Sequence, residues 1–140
     1  MAAFLYRYQN PGTPAPACQA APFPDVPAAS TFCPQIAWLA GQGITGGNAA
    51  GMFQPTQAVT RQSMAAFLYR FANPGADKPS CTTAPFPDVP PVDNPFCGEI
   101  DWLANSGITG GYTDGTYRPT TVISRQSMAA FLHRLDQLPT

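Results

Sequence analysis

The sequence predicts an all-α fold of tandem helix–loop–helix repeats around a central three-helix bundle, with one outer helix missing. Three observations carry this. The string MAAFLYR at residues 1–7 returns at 64–70 and, as MAAFLHR, at 128–134. Each copy bears an apolar stripe at helical spacing, Met64, Phe67, Leu68 and Phe71 in the middle one. The segments between stripes are rich in proline and glycine, so they read as turns and loops rather than strands.

Taken in chain order, residues 1–12 come first. MAAFLYRYQNPG matches MAAFLYRFANPG at 64–75, so 1–12 read as the last helix and exit turn of a preceding repeat, with Met1, Phe4, Leu5 and Tyr8 as its stripe. Two full repeats follow, 13–75 and 76–140. PFPDVP at 22–27 returns at 85–90 as an extended, proline-pinned stretch. A first helix is expected near 33–42 and 97–106, with Phe32, Ile36, Leu39 and Ala40 on one face and Phe96, Ile100, Leu103 and Ala104 repeating it. Pro34 suits a first helical turn, and Gly43 and Gly107 suit a C-terminal stop. A loop with Gly46-Gly47 or Gly110-Gly111 leads to the second helix, expected near 61–72 and 125–136. Thr60 and Ser124 are good N-caps, and Met128, Phe131, Leu132 and Leu135 repeat the stripe. No helix buries such a stripe alone, so the three second helices are expected to meet.

Composition narrows the function. The formal net charge is −1, which argues against a nucleic-acid or polybasic membrane surface while leaving room for a local anion pocket. No apolar run reaches membrane-spanning length, so no membrane insertion is expected. The start carries no secretory signal, and a signal upstream of Met1 is expected if the protein works outside the cell. Four cysteines at repeated positions point to an oxidising compartment. Four thiols allow three pairings, and the repeat favours Cys18–Cys33 and Cys81–Cys97. Each would close a loop of about 16 residues, worth about 3 kcal/mol. A zinc site is the competing reading, but the spacing lacks Cys-x-x-Cys and the sole histidine, His133, sits within a helix.

No catalytic set is visible: the chain has one histidine and one glutamate, and Ser63 and Ser127 have no repeated histidine partner. The chain is therefore read as not an enzyme, and no cofactor is expected. Arg61 and Arg125 open their helices, where a cation opposes the helix dipole by about 0.3–1 kcal/mol. A bidentate carboxylate would offset that. It comes either from a ligand or from an internal pair with Asp25 or Asp88, and both readings stand. Asp25 and Asp88 are also simple turn-formers after proline. Trp38 and Trp102 lie off the first-helix stripe, free either to stack on a sugar ring or to pack against a neighbour. Tyr112, Asp114 and Tyr117 stand where the preceding repeat has Asn48, Ala50 and Phe53, so the two repeats' grooves are not expected to be equivalent.

The order F-P-D-V, I-x-W-L, G-I-T-G-G, T-R-Q-S-M-A-A-F-L-Y-R resembles the S-layer homology domain, over both full repeats and the N-terminal helix. The resemblance implies a three-lobed module that anchors exported bacterial proteins to a secondary cell-wall polysaccharide, often one bearing pyruvate ketals. It implies binding in grooves between lobes, and an extracellular place in the cell wall or S-layer. Carried over by motif, its functional positions are Arg61, Arg125, Asp25, Asp88, Gly46, Gly47, Gly110 and Gly111. The family's T-R-A-E is here Thr60-Arg61-Gln62-Ser63 and Ser124-Arg125-Gln126-Ser127. The glutamate that would close a capping box is absent, so a looser helix entry is expected. The runner-up is a structural or adhesive module whose grooves bind another surface protein or the chain itself.

Overall fold

The computed structural model describes residues 1–139. Among the described residues it contains five helices: α1 (Ala2–Gln9), α2 (Cys33–Gly41), α3 (Arg61–Ala72), α4 (Cys97–Asn105) and α5 (Arg125–Asp136). Among the described residues extended pairing is confined to isolated bridges, Phe23 with Val26 and Thr60 with Val122. The class is all-α, and each helix lies where its stripe predicts, but the expected meeting of second helices is corrected in 58–139: α3 packs on α4 and not on α5.

The chain forms two compact units, Met1–Gln57 and Ala58–Thr140. In the first, α1 packs on α2; in the second, α3 packs on α4. A helix that closes one sequence repeat thus packs on the helix that opens the next. Both packings use the same aromatic joint. Tyr6 meets Trp38 edge to face at 5.3 Å, and Tyr69 meets Trp102 at 5.5 Å. This joint shifts the buried face off the predicted stripe. In α1, Ala2, Leu5 and Tyr6 are buried while Phe4 is 41% exposed; in α3, Met64, Ala65, Ala66 and Leu68 are buried. The small alanines let the partner helix approach, so burial follows the alanine–tyrosine flank as well as the aliphatic ridge.

The helix ends are built from side chains. Thr60 accepts from the Ser63 N–H at 3.3 Å, and its hydroxyl donates to Ser63 Oγ at 2.9 Å. Ser124 does the same with Ser127, at 3.0 and 3.1 Å. Serine at the glutamate position bonds to the N-cap hydroxyl rather than closing a capping box on the N-cap backbone N–H. At the other end, Asn10 Nδ2 donates to the Tyr6 carbonyl and Asn73 Nδ2 to the Tyr69 carbonyl, at 3.1 and 2.9 Å. The two exit turns are therefore closed alike.

Both favoured disulfides are present, Cys18–Cys33 and Cys81–Cys97, with Cα–Cα distances of 6.1 and 5.7 Å. Each ties the irregular lead-in segment to the first turn of α2 or α4. In the second unit this lead-in runs hard against the helix, because a Cβ built on Gly98 would collide with the Pro79 carbonyl. No helix among the described residues is long and apolar enough to cross a membrane.

Candidate functional site

In each unit an aspartate ties the extended segment to the loop that follows the first helix. The Asp25 carboxylate accepts from the Phe53 and Gln54 N–H groups at 3.0 and 2.7 Å. Asp88 accepts from the Tyr117 and Arg118 N–H groups at 2.9 and 2.8 Å. The Phe53 hydrogen bond leads in holding the Asp25 carboxyl below its ordinary value; burial opposes it, and the Gln54 bond adds to it. The internal aspartate–arginine pair considered above is not what forms. Both carboxylates are committed to backbone donors, whereas Arg118 and Asp114 form an exposed ion pair at 3.2 Å.

The clamped loop is closed by glycine. Gly47 and Gly111 have φ of +79° and +74°. A Cβ on Gly111 would lie 2.7 Å from both Phe86 Cε1 and the Thr116 carbonyl oxygen; on Gly47 it would lie 2.9 Å from the Met52 oxygen. Glycine is required at these two positions by conformation and by space. Gly46 and Gly110 are exposed and have open space around them. Phe23 stacks on Phe53 in one loop and Phe86 on Tyr117 in the other, at 5.5 and 5.4 Å.

Arg61 is drawn into this loop in the second unit. It is only 4% exposed. Its Nε–H donates to the Tyr117 carbonyl at 2.7 Å, and the Tyr117 hydroxyl donates back to the Arg61 carbonyl at 2.9 Å. The Arg61 and Gln62 N–H groups, which have no partner inside their own helix, donate to the Thr121 and Pro119 carbonyls, both at 2.8 Å. The guanidinium carbon lies 4.5 Å from the centre of the Tyr117 ring, 4.6 Å from Tyr112 and 5.5 Å from Phe131. Arg118 covers Tyr112 in turn, at 3.8 Å. Aromatic faces thus support the cation that opens α3. Burial pushes the Tyr117 phenol far above its ordinary range, partly offset by the Arg61 charge, so it acts as a neutral donor.

Beside this cluster lies a groove of about 400 Å³. Arg61, Thr109, Gly110, Gly111, Tyr112, Gln126, Ser127, Phe131 and Arg134 contribute to its wall, with two arginines and no carboxylate. Arg134, from the last turn of α5, donates from Nη1 to the Ile108 carbonyl at 2.9 Å. Such a groove suits an anionic, hydroxyl-rich ligand.

Of the positions singled out in the sequence, Arg61, Gly110 and Gly111 come together here. Asp88 shapes the loop behind them. Asp25, Gly46 and Gly47 build the matching loop of the first unit. Arg125 stands exposed at the start of α5. Trp38 and Trp102 each meet a tyrosine of the preceding helix. Sequence reasoning missed Thr109, Gln126 and Arg134. Arg134 had a signal, the basic residue that recurs in the last turn as Arg7, Arg70 and Arg134. Among the described residues no cluster of histidine, cysteine and carboxylate could hold a metal.

Two comparisons with known proteins bear on this geometry. Residues 22–65 and 85–129 match the S-layer homology domain. Over 113 residues, or 81% of the chain, the sequence is 35% identical to an endoglucanase of Bacillus sp. (strain KSM-635). The chain spans 11% of that protein's length.

Proposed function

The chain belongs to the S-layer homology domain family, whose members serve as cell-wall anchoring modules, and we propose that it anchors its protein non-catalytically to an anionic secondary cell-wall polysaccharide. The single observation that carries this is the Arg61 groove. A guanidinium is held by its Nε edge and by ring faces, and the groove it lines contains a second arginine and no carboxylate. A carboxylate-bearing sugar, such as a pyruvate ketal, offers the paired oxygens that a guanidinium binds most strongly. Hydroxyl and amide groups of Thr109, Gln126 and Ser127 supply partners for sugar hydroxyls. The tandem repeats 13–75 and 76–140, preceded by the helix of 1–12, present two loops of this kind, and Arg61 enters the Tyr117 loop. The place of action in this reading is the outer surface of a bacterial cell, consistent with two disulfides.

The test is cosedimentation with isolated cell walls before and after acid stripping of the non-peptidoglycan polymer. Binding that disappears on stripping is the expected result. Binding that survives stripping favours a peptidoglycan or protein partner and contradicts the proposal.

A further inference from the structure

Tyr117 is the point on which the arginine site turns. Its side chain is fully buried, stacked on Phe86, and bonded through both its hydroxyl and its carbonyl to Arg61. These contacts hold the guanidinium from one side. The Nε–H is occupied, and the rings of Tyr117 and Tyr112 lie 4.5 and 4.6 Å from the guanidinium carbon. Arg61 lines the groove. The residue at the same repeat position in the first unit is Phe53, which keeps the stack on the extended segment but has no hydroxyl to give.

We propose that Tyr117 is a positioning residue that pre-organises Arg61 for an anionic ligand. The binding arginine of one sequence repeat is thereby assembled by the loop of the next. The physical basis is entropy. A free arginine side chain has substantial rotamer freedom to lose on binding. Here that freedom is removed on folding, by a hydrogen bond to Nε and by two aromatic faces, before any ligand arrives. Tyr112 serves the same end more weakly, since it covers a face without bonding. This inference rests on the wall-binding reading for its consequence, but its structural half is measurable without ligand.

The experiment combines a double-mutant cycle with a ligand-free signal. Affinity for isolated cell-wall sacculi is measured for the wild type, Tyr117→Phe, Tyr117→Leu, Arg61→Gln and the Arg61→Gln, Tyr117→Leu double variant. Tyr117→Leu should weaken binding roughly tenfold with Arg61 present and not further once Arg61 is gone. Tyr117→Phe, which keeps the ring, should recover part of the loss and guards against a fold failure in the leucine variant. Equal weakening by Tyr117→Leu in both backgrounds would overturn the proposal. The ligand-free signal is the Arg61 Nε–H proton resonance, displaced by the ring currents of Tyr112 and Tyr117. It should lose that displacement in Tyr117→Leu and keep part of it in Tyr117→Phe. An Nε–H resonance unchanged in Tyr117→Leu overturns the positioning role. If the wild type does not bind sacculi, the wall-binding reading falls, and the resonance alone decides whether Tyr117 positions Arg61.

Discussion

The two glycines of each loop are adjacent in sequence and opposite in physical role. Gly111 sits at φ +74° with a phenyl carbon and a carbonyl oxygen where its Cβ would go, whereas Gly110 has open space. Gly111→Ala should destabilise the protein by about 2–4 kcal/mol, from left-handed backbone plus overpacking. Gly110→Ala should stay within about 0.5 kcal/mol, as read by denaturant unfolding. The sequence placed both glycines in a loop but did not distinguish them, because the distinction depends on Phe86, far away along the chain. Asp25 carries a pH signature. Its folded pKa lies below its unfolded one, so its contribution is full above the unfolded value and disappears as pH falls through the folded value. The melting temperature of the wild type should therefore fall as pH drops through and below the ordinary carboxylate range, and Asp25→Asn should flatten part of that slope while lowering stability at neutral pH. A slope identical in the variant would show that the clamp on Phe53 and Gln54 contributes nothing.

At the scale of helices, the apolar periodicity located every element, because a period of 3.6 residues is a local property of the chain. It did not locate the buried face. That face is decided by which helix docks, and the docking joint is a tyrosine–tryptophan contact between residues of consecutive repeats. The caps were legible, since Thr60 and Ser124 stand immediately before their stripes. Their reciprocal bonding to Ser63 and Ser127 was not, because a hydroxyl pair is a matter of rotamers. Thr60→Ala should destabilise the second unit by about 1 kcal/mol. The Thr60 cap also stands next to Arg61, so the substitution should broaden the Arg61 Nε–H resonance. A variant as stable as wild type would mean that the backbone bonds to Thr121 and Pro119 fix the helix start unaided.

For the molecule as a whole, repetition made the organisation readable. Two repeats share the aspartate clamp, the tight glycine, the tyrosine–tryptophan joint and the disulfide, and Arg61 enters the Tyr117 loop. The sequence named Arg61 and Arg125 as equals; the fold buries one among aromatic rings and leaves the other exposed. The distinction was not legible because Arg61 and Tyr117 are brought together by tertiary structure. The most direct measurement compares Arg61→Gln with Arg125→Gln for affinity to cell walls that retain their secondary polymer. The account predicts at least a roughly tenfold loss for Arg61→Gln and less than about twofold for Arg125→Gln, both folded as wild type. Equal losses, or full binding without the Arg61 guanidinium, would contradict it.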